Sequence, residues 1–290
     1  MTTRAWLLAA RPKTLSAAVA PVLVGTGLAL RDRHDVEWIY VACALFGGLF
    51  IQIATNLIND ALDFKKGADT GERLGPLRVT QAGLLNAEAV LRGGYVCLLI
   101  AALLGIPLIV HAGWPIVVVG VASILMAYAY TGGPYPLAYH GLGELFVMMF
   151  FGFAAVGGTY FVLTLQYSAV AAACGFAVGS LAVVILAINN LRDIAGDRAS
   201  NKNTIATRIG ERGARAEISL FVICAYAGVA FASWWTRDWS LLLVLVSSPL
   251  AIALITRVVR SSGRELNRCL AMAGALQWAF SLLFLIGALL

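Results

Sequence analysis

"AVAAACGFAVGSLAVVILAINNLRDIAGD", Ala169 to Asp197, goes from hydrocarbon to charge within one helical turn. Twenty residues from Ala169 to Ile188 carry a single polar side chain, Ser180. The next nine hold two asparagines, an arginine and two aspartates. An apolar run of that length is what an α-helix needs to cross a bilayer, ~20 residues. The segment therefore reads as a membrane span that ends where polar groups collect.

The rest of the chain has the same character. Of its 290 residues, 60% are hydrophobic and 12% charged, and the mean hydropathy is +0.85, far from the mixture of a water-soluble domain. Nine stretches are long enough to span: 14–30, 36–59, 90–111, 114–130, 142–164, 168–191, 214–235, 239–258 and 269–290. The fold class expected is all-α, a polytopic membrane protein with nine transmembrane helices around a central cavity. No polar linker divides the chain, so residues 1–290 read as one integral membrane domain. The first stretch follows Arg11 and Lys13 as a signal peptide would, but it lacks a small-residue cleavage site and leads straight into a second span. It is expected to be retained.

Alternating the nine spans places eighteen lysines and arginines on one side and three, Arg31, Arg33 and Arg237, on the other. Short cytoplasmic loops collect such bases, so the amino terminus is expected inside and the carboxyl terminus outside, in the cell membrane. The net charge of +6 is then mostly this topology signal, and nothing points to nucleic acid. The five cysteines fall singly within apolar spans without a CxxC pair, and His34, His111 and His140 stand alone, so none is assigned a metal.

A second polar segment, "NLINDALDFKKGADT" from Asn56 to Thr70, repeats the pattern at the end of the second span. It reads Asn59-x-x-x-Asp63 with Asp69 further on, against Asn189-x-x-x-Asp193-x-x-x-Asp197. Four spans separate the two, which puts both on the same side. On continuous helices, Asn56, Asn59, Asp60 and Asp63 share an arc of roughly 100°, as do Asn189, Asn190, Asp193 and Asp197. Gly67 is expected to end the first helix and leave Asp69 free to fold back.

Carboxylate and amide oxygens are hard ligands that suit Mg²⁺, which takes one or two carboxylates and keeps positions for phosphate oxygens. Lys65, Lys66, Arg73, Arg78, Arg192, Arg198 and Lys202 stand nearby for the remaining phosphate charge. The plainer alternative is a pair of solvated loops whose acids balance their bases, with Asp60 a helix-end charge and Asn190 an interhelical cross-link.

At these residues the chain resembles the UbiA-type intramembrane aromatic prenyltransferases, through "NDALDFKKGAD" (Asn59 to Asp69) and "NNLRDIAGDRASNKNT" (Asn189 to Thr204). "ARPKTLSAAVAPVLVGTGLA" near the amino terminus, "GPLRVTQAGLL" at Gly75–Leu85 and "YTGGPYPLAYHGLGE" at Tyr130–Glu144 resemble the branch that prenylates 1,4-dihydroxy-2-naphthoate in menaquinone synthesis. The resemblance implies Mg²⁺ as cofactor, polyprenyl diphosphate and dihydroxynaphthoate as partners within the lipid bilayer, and an active site opening to the cytoplasmic side. It implies Asn59, Asp63, Asp193 and Asp197 as catalytic, with Asp69 and Asn189 joining them around the metal. Lys66, Arg78 and Lys202 are then candidate diphosphate contacts, and Tyr130 and Tyr139 candidate shields of an allylic cation. Arg11 and Lys13 are placed to attract the naphthoate carboxylate, or serve only as topology determinants. Many relatives carry a lysine after the proline turn where this chain has Ala138 and Tyr139, so the resemblance does not extend to that position. Glu144, an acid at the start of a span, is left without a role. Two other readings remain: another aromatic acceptor such as 4-hydroxybenzoate or a haem or chlorin precursor, and a transporter of divalent cations or phosphorylated anions.

Overall fold

The computed structural model describes residues 2–33, 35–67, 74–75 and 77–290, and among these every regular element is helical. Asp69 and Arg73 lie outside the described residues. In chain order the helices are α1 (Thr2–Ala10), α2 (Ser16–Arg33), α3 (Trp38–Lys65), α4 (Ala87–Ala112), α5 (Trp114–Ala129), α6 (Gly143–Thr164), α7 (Ala169–Arg192), α8 (Ile194–Ala199), α9 (Ile205–Thr236), α10 (Trp239–Arg260) and α11 (Leu266–Ala288). The protein is a multi-pass membrane protein. Seven of these helices are long and apolar enough to cross a bilayer, or eight if the segment Thr3–Thr14 and α2, bent by 50° where they join, make one span.

Length and apolarity alone thus identify seven or eight of the nine expected spans, and α5, the remaining one, still returns the chain to the end where Thr131 and Tyr139 meet Asn59 and Asp63. The shortfall lies at 114–130, where α5 has 16 residues. At 1.5 Å per residue that is about 24 Å, short of a hydrocarbon core about 30 Å thick. A second difference concerns the polar end of α7. The sequence reads as one helix through Asp197, whereas α7 stops at Arg192, Asp193 sits at φ −97 and ψ 9, and α8 starts afresh at Ile194. By contrast α3 runs unbroken to Lys65, and Gly67 follows at φ +67, as a helix-terminating glycine should.

α7 is the central element, packed by α2, α6, α9 and α11, with Leu181, Val184 and Ile188 in the buried core. Its contact with α6 is made backbone to backbone. A Cβ on Gly152 would stand 2.6 Å from the Gly175 carbonyl oxygen, and one on Gly175 3.0 Å from that of Gly152. Membrane helices lack a hydrophobic drive to associate, so such close approach of small residues supplies the packing instead. Around Gly152, α6 widens into π-helical turns over Met148–Ala154. α2 closes the bundle against α11: a Cβ on Gly27 would lie 3.2 Å from Leu285 Cδ1. α4 and α5 instead turn Leu99, Leu103, Val110, Val118 and Leu125 outward, toward lipid.

The two ends of the bundle differ in chemistry. At one, Arg31 pairs with Asp238 at 2.7 Å, Arg33 donates to the Thr164 carbonyl at 2.5 Å, and Tyr160 donates to Asp32 at 2.7 Å. The other end gathers the polar segments that follow α1, α3, α5, α7 and α10.

Gly152→Leu is expected to destabilise the bundle by about 1–3 kcal/mol through overpacking. Gly157→Ala, in the same helix with nothing within 4 Å of its β-position, should be neutral or slightly stabilising. Thermal unfolding of the two variants in detergent separates these outcomes.

Candidate active site

The polar end is assembled by side chains that pull distant segments together. Asn56, buried on α3, donates its amide to the Ala10 carbonyl at 2.9 Å and to Thr14 Oγ1 at 3.2 Å. That fixes the turn after α1, where Arg11 adopts φ 51, and sets Arg11 and Lys13 into the wall of the cavity below. Asp60, 1% exposed, accepts from the backbone N–H of Val79 at 3.2 Å and of Thr80 at 3.3 Å, and from the Thr80 hydroxyl. Its oxygens thus anchor the loop beyond the motif. The carboxylate counts as scaffold rather than as a metal ligand.

With that loop held, Arg78 comes back over the end of α3. It donates to the Asn59 carbonyl at 3.1 Å and pairs with Asp63 Oδ2 at 2.7 Å, both side chains being largely buried. The other Asp63 oxygen accepts from Tyr139 at 2.9 Å, and the Thr131 hydroxyl donates to Asn59 Oδ1. Both partners come from the turn between α5 and α6. Lys66 donates to the Thr131 carbonyl at 2.6 Å and lies 4.8 Å from the centre of the Tyr139 ring, away from the cavity wall.

The second motif docks on the same turn. The Asn203 N–H donates to the Tyr139 carbonyl at 3.0 Å, and the Lys202 ammonium lies 5.9 Å from the Tyr139 ring centre. Lys202 pairs with Asp197 at 3.5 Å and also acts through space on Asp63. The structure thus brings the two motifs together with Lys202 between their acids. Burial pushes the Asp197 carboxyl above the ordinary carboxylate value, against the pull of Lys202, and the negative Asp193 adds to the rise. Asp197 Oδ2 is buried and has no hydrogen-bond partner.

Asp193 owes its position to two residues outside the motif pattern. Arg192, 4% exposed, clasps it with Nε at 2.8 Å and a terminal nitrogen at 2.6 Å. The other terminal nitrogen donates to Asn267 Oδ1 at 2.9 Å, and the Asn267 amide donates to the Leu74 carbonyl at 2.9 Å. Arg192 thereby links Asp193, α11 and the segment after α3. Asn267 carries no sequence signal, since it lies 75 residues from its partner. Glu144, buried at the start of α6, accepts from the Asn190 amide at 2.9 Å, so Asn190 is an interhelical cross-link.

Below this polar rim lies a cavity of about 670 Å³. Arg11, Lys13, Asn59, Asp63, Arg78, Tyr130, Asn189, Asp193 and Lys202 line its charged end, while Asp197 and Tyr139 stand behind the wall. Deeper, Ala101, Gly105, Ile109, Gly120 and Val162 make it apolar. Val117 and Val121 line it and are also exposed on the outside of α5, so its flank reaches the lipid-facing surface.

A cationic and acidic rim over a greasy chamber within the membrane defines a protein built for an amphiphile with a polyanionic head and a hydrocarbon tail. The comparisons agree: the sequence matches the model of the UbiA prenyltransferase family over residues 18–280, and the chain belongs to that family. It is 37% identical to the 1,4-dihydroxy-2-naphthoate octaprenyltransferase of Mycobacterium tuberculosis, covering 95% of this chain and 94% of that one. With the enzyme of the same name from Haemophilus influenzae it shares 33%, covering 98% and 96%. Its fold resembles a UbiA homolog from Archaeoglobus fulgidus bound to GPP and Mg²⁺, with a TM-score of 0.71 at 13% identity over 99% of this chain and 100% of that one. The apo UbiA homolog from Aeropyrum pernix gives 0.72 at 14% identity, over 93% and 97%.

If Asn267 holds Arg192 against Asp193, Asn267→Leu should lower prenyl transfer about 10–100-fold, the range found when a residue supporting a ligand is lost. Turnover in detergent, measured beside circular dichroism to confirm an intact fold, checks this.

Proposed function

We propose that the protein transfers a polyprenyl chain from polyprenyl diphosphate to 1,4-dihydroxy-2-naphthoate, releasing pyrophosphate and carbon dioxide. The observation that carries this reading is the near full-length similarity to dihydroxynaphthoate octaprenyltransferases, on a chain whose two acidic motifs meet at one cavity. The chain acts as one domain over residues 1–290, with its amino terminus and the charged rim on the cytoplasmic side and its carboxyl terminus outside. The distribution of bases supports that orientation, because Arg31, Arg33 and Arg237 sit at or beside the helix ends opposite the rim.

Asn59, Asp63, Asn189, Asp193 and Asp197 are the residues that would hold Mg²⁺, with Asp69 as a further candidate. They fit it on two counts: the donors are hard oxygens, and Asp197 Oδ2 is buried without a partner. Among the described residues no group of three or more His, Cys, Asp or Glu side chains forms a metal site by itself. Mg²⁺ needs no such group, since it typically takes one or two carboxylates and leaves positions for water and phosphate oxygens. When bound, the metal supplies positive charge to the departing pyrophosphate.

The chain's own groups do the rest. Arg78 and Lys202 present fixed positive charge to the diphosphate at the rim, with Lys66 adding its charge from behind the Tyr139 ring, which favours heterolysis of the allylic C–O bond because that charge is already in place. Tyr130, in the cavity wall, offers its ring face to the developing allylic cation, and Tyr139 steadies Asp63 through its hydroxyl. Arg11 and Lys13 draw the naphthoate carboxylate to the same end. The ring carbon bearing that carboxylate bonds to the allylic carbon, carbon dioxide leaves with its bonding electrons returned to the ring, and demethylmenaquinol results, the reduced form of demethylmenaquinone. The apolar depth and the open flank on α5 take the tail, which cannot lie in water.

Asp63→Asn and Asp193→Asn should each abolish turnover at nearly constant side-chain volume; because each leaves a buried arginine without its counter-charge, circular dichroism beside the assay separates lost chemistry from lost fold. The assay is purified protein with Mg²⁺, polyprenyl diphosphate and dihydroxynaphthoate, following pyrophosphate and prenylated product. Near-normal activity in both variants would remove these aspartates from the site, and vesicle uptake of diphosphate or metal without product would favour a transporter instead.

A further inference from the structure

One polar group in the cavity remains unexplained by the rim. Gln52 lies in the middle of α3, is 8% exposed and lines the cavity. Its amide makes no hydrogen bond with any described residue. Other polar side chains of the lining donate elsewhere: Thr55 to the Ile51 carbonyl at 2.9 Å, Ser123 to Val119 at 2.7 Å, Thr159 to Ala155 at 2.7 Å, and Asn56 to Ala10 at 2.9 Å and to the Thr14 hydroxyl at 3.2 Å. A glutamine amide carries two donors and a two-lone-pair acceptor, and leaving them unmet within a membrane is costly. The tail of the prenyl donor has nothing to offer it.

Its position says what would. Gln52 is seven residues before Asn59, so it lies about 10 Å further along the helix axis and nearly on the same face. That is too deep for the diphosphate and about one bicyclic ring away from it. Four residues further, Gly48 also lines the cavity, and a Cβ there would meet nothing nearer than the Ala18 carbonyl oxygen at 3.8 Å. A glycine inside a helix costs about 1 kcal/mol against alanine, and neither packing nor backbone conformation requires this one. Gly120, on the far wall, has nothing within 4 Å of its β-position. Room is thus left in the cavity at Gly48, on the helix that carries Gln52, and at Gly120 on the other wall.

We propose that Gln52 reads the aromatic acceptor: its amide hydrogen-bonds a ring hydroxyl of the phenolic substrate seated beside Gly48, between the rim and the apolar depth. This rests on the prenyltransferase reading above and adds a residue that selects the acceptor. A site built to hydrogen-bond a hydroxyl discriminates against analogues that lack it, because the amide is then left buried and unmet.

The test is Gln52→Met, which keeps side-chain length without the amide, beside Gln52→Asn, which shortens its reach. Initial rates are measured for wild type and both variants over a panel of phenolic acceptors, including dihydroxynaphthoate and its analogues lacking one hydroxyl. The expected result is an acceptor KM raised about tenfold in both variants, with the KM for polyprenyl diphosphate unchanged and the preference for the dihydroxy ring over the monohydroxy analogue reduced. An unchanged acceptor KM overturns the proposal, and so does a rise confined to the diphosphate KM. The reading it rests on fails separately. If wild type uses another phenol and not dihydroxynaphthoate, the functional assignment falls while the Gln52 variants still decide the role of that residue with the acceptor used. If no phenol is prenylated, both fall.

Discussion

Acids placed at the edge of hydrocarbon must have fixed positive partners, and the site depends on how this chain supplies them. Asp63 is met by Arg78, Asp193 by Arg192 and Asp197 by Lys202. Each base is delivered by a different device: a loop tied down by Asp60, a helix end clamped by Asn267, and a turn docked on Tyr139. The folded protein can therefore hold carboxylates near lipid before any ligand arrives. The positive groups needed to bind a diphosphate are already in position because the acids needed them first. Breaking one such buried pair leaves its partner uncompensated, which costs more than the pair contributes.

The turn between α5 and α6 gives this arrangement its geometry. Thr131 and Tyr139 touch Asn59 and Asp63 on one side, and Tyr139 receives Asn203 on the other. Two motifs more than a hundred residues apart in sequence thus share one short staple. The turn itself offers Ala138 and Tyr139, and ammonium groups from Lys66 and Lys202 face the Tyr139 ring.

Much of the fold could be read from sequence because hydrocarbon allows few structures. Long apolar runs are helices there, and the runs 36–59 and 168–191 lie within the helices Trp38–Lys65 and Ala169–Arg192, give or take two residues. Gly67 was legible because only a glycine takes its φ at ease. The break at Asp193 was not, since leucine, arginine and isoleucine around it all suit a helix and tertiary contacts decide the end. Nor was α1, nine residues whose docking through Ala5 and Ala9 depends on Val79 and Val90 far along the chain. Asp60 and Asn56 shared the arc of the binding residues, and periodicity cannot separate an acid that holds a loop from one that holds a ligand. Arg192 showed only as a nearby base, and its clasp on Asp193 is backed by Asn267, 75 residues further along.

The seam between α2 and α11 has a consequence for biosynthesis. Gly27 and Leu285, which meet there, are 258 residues apart. A ribosome making about 5–20 residues per second needs on the order of 13–50 s to cover that interval. Throughout it the first long helix waits in the bilayer with its glycine-bearing face open to whatever passes. The bundle of helices shuts only once Leu285 has been made, so a chain stalled before that point leaves an unsealed bundle for insertase partners or proteases to find.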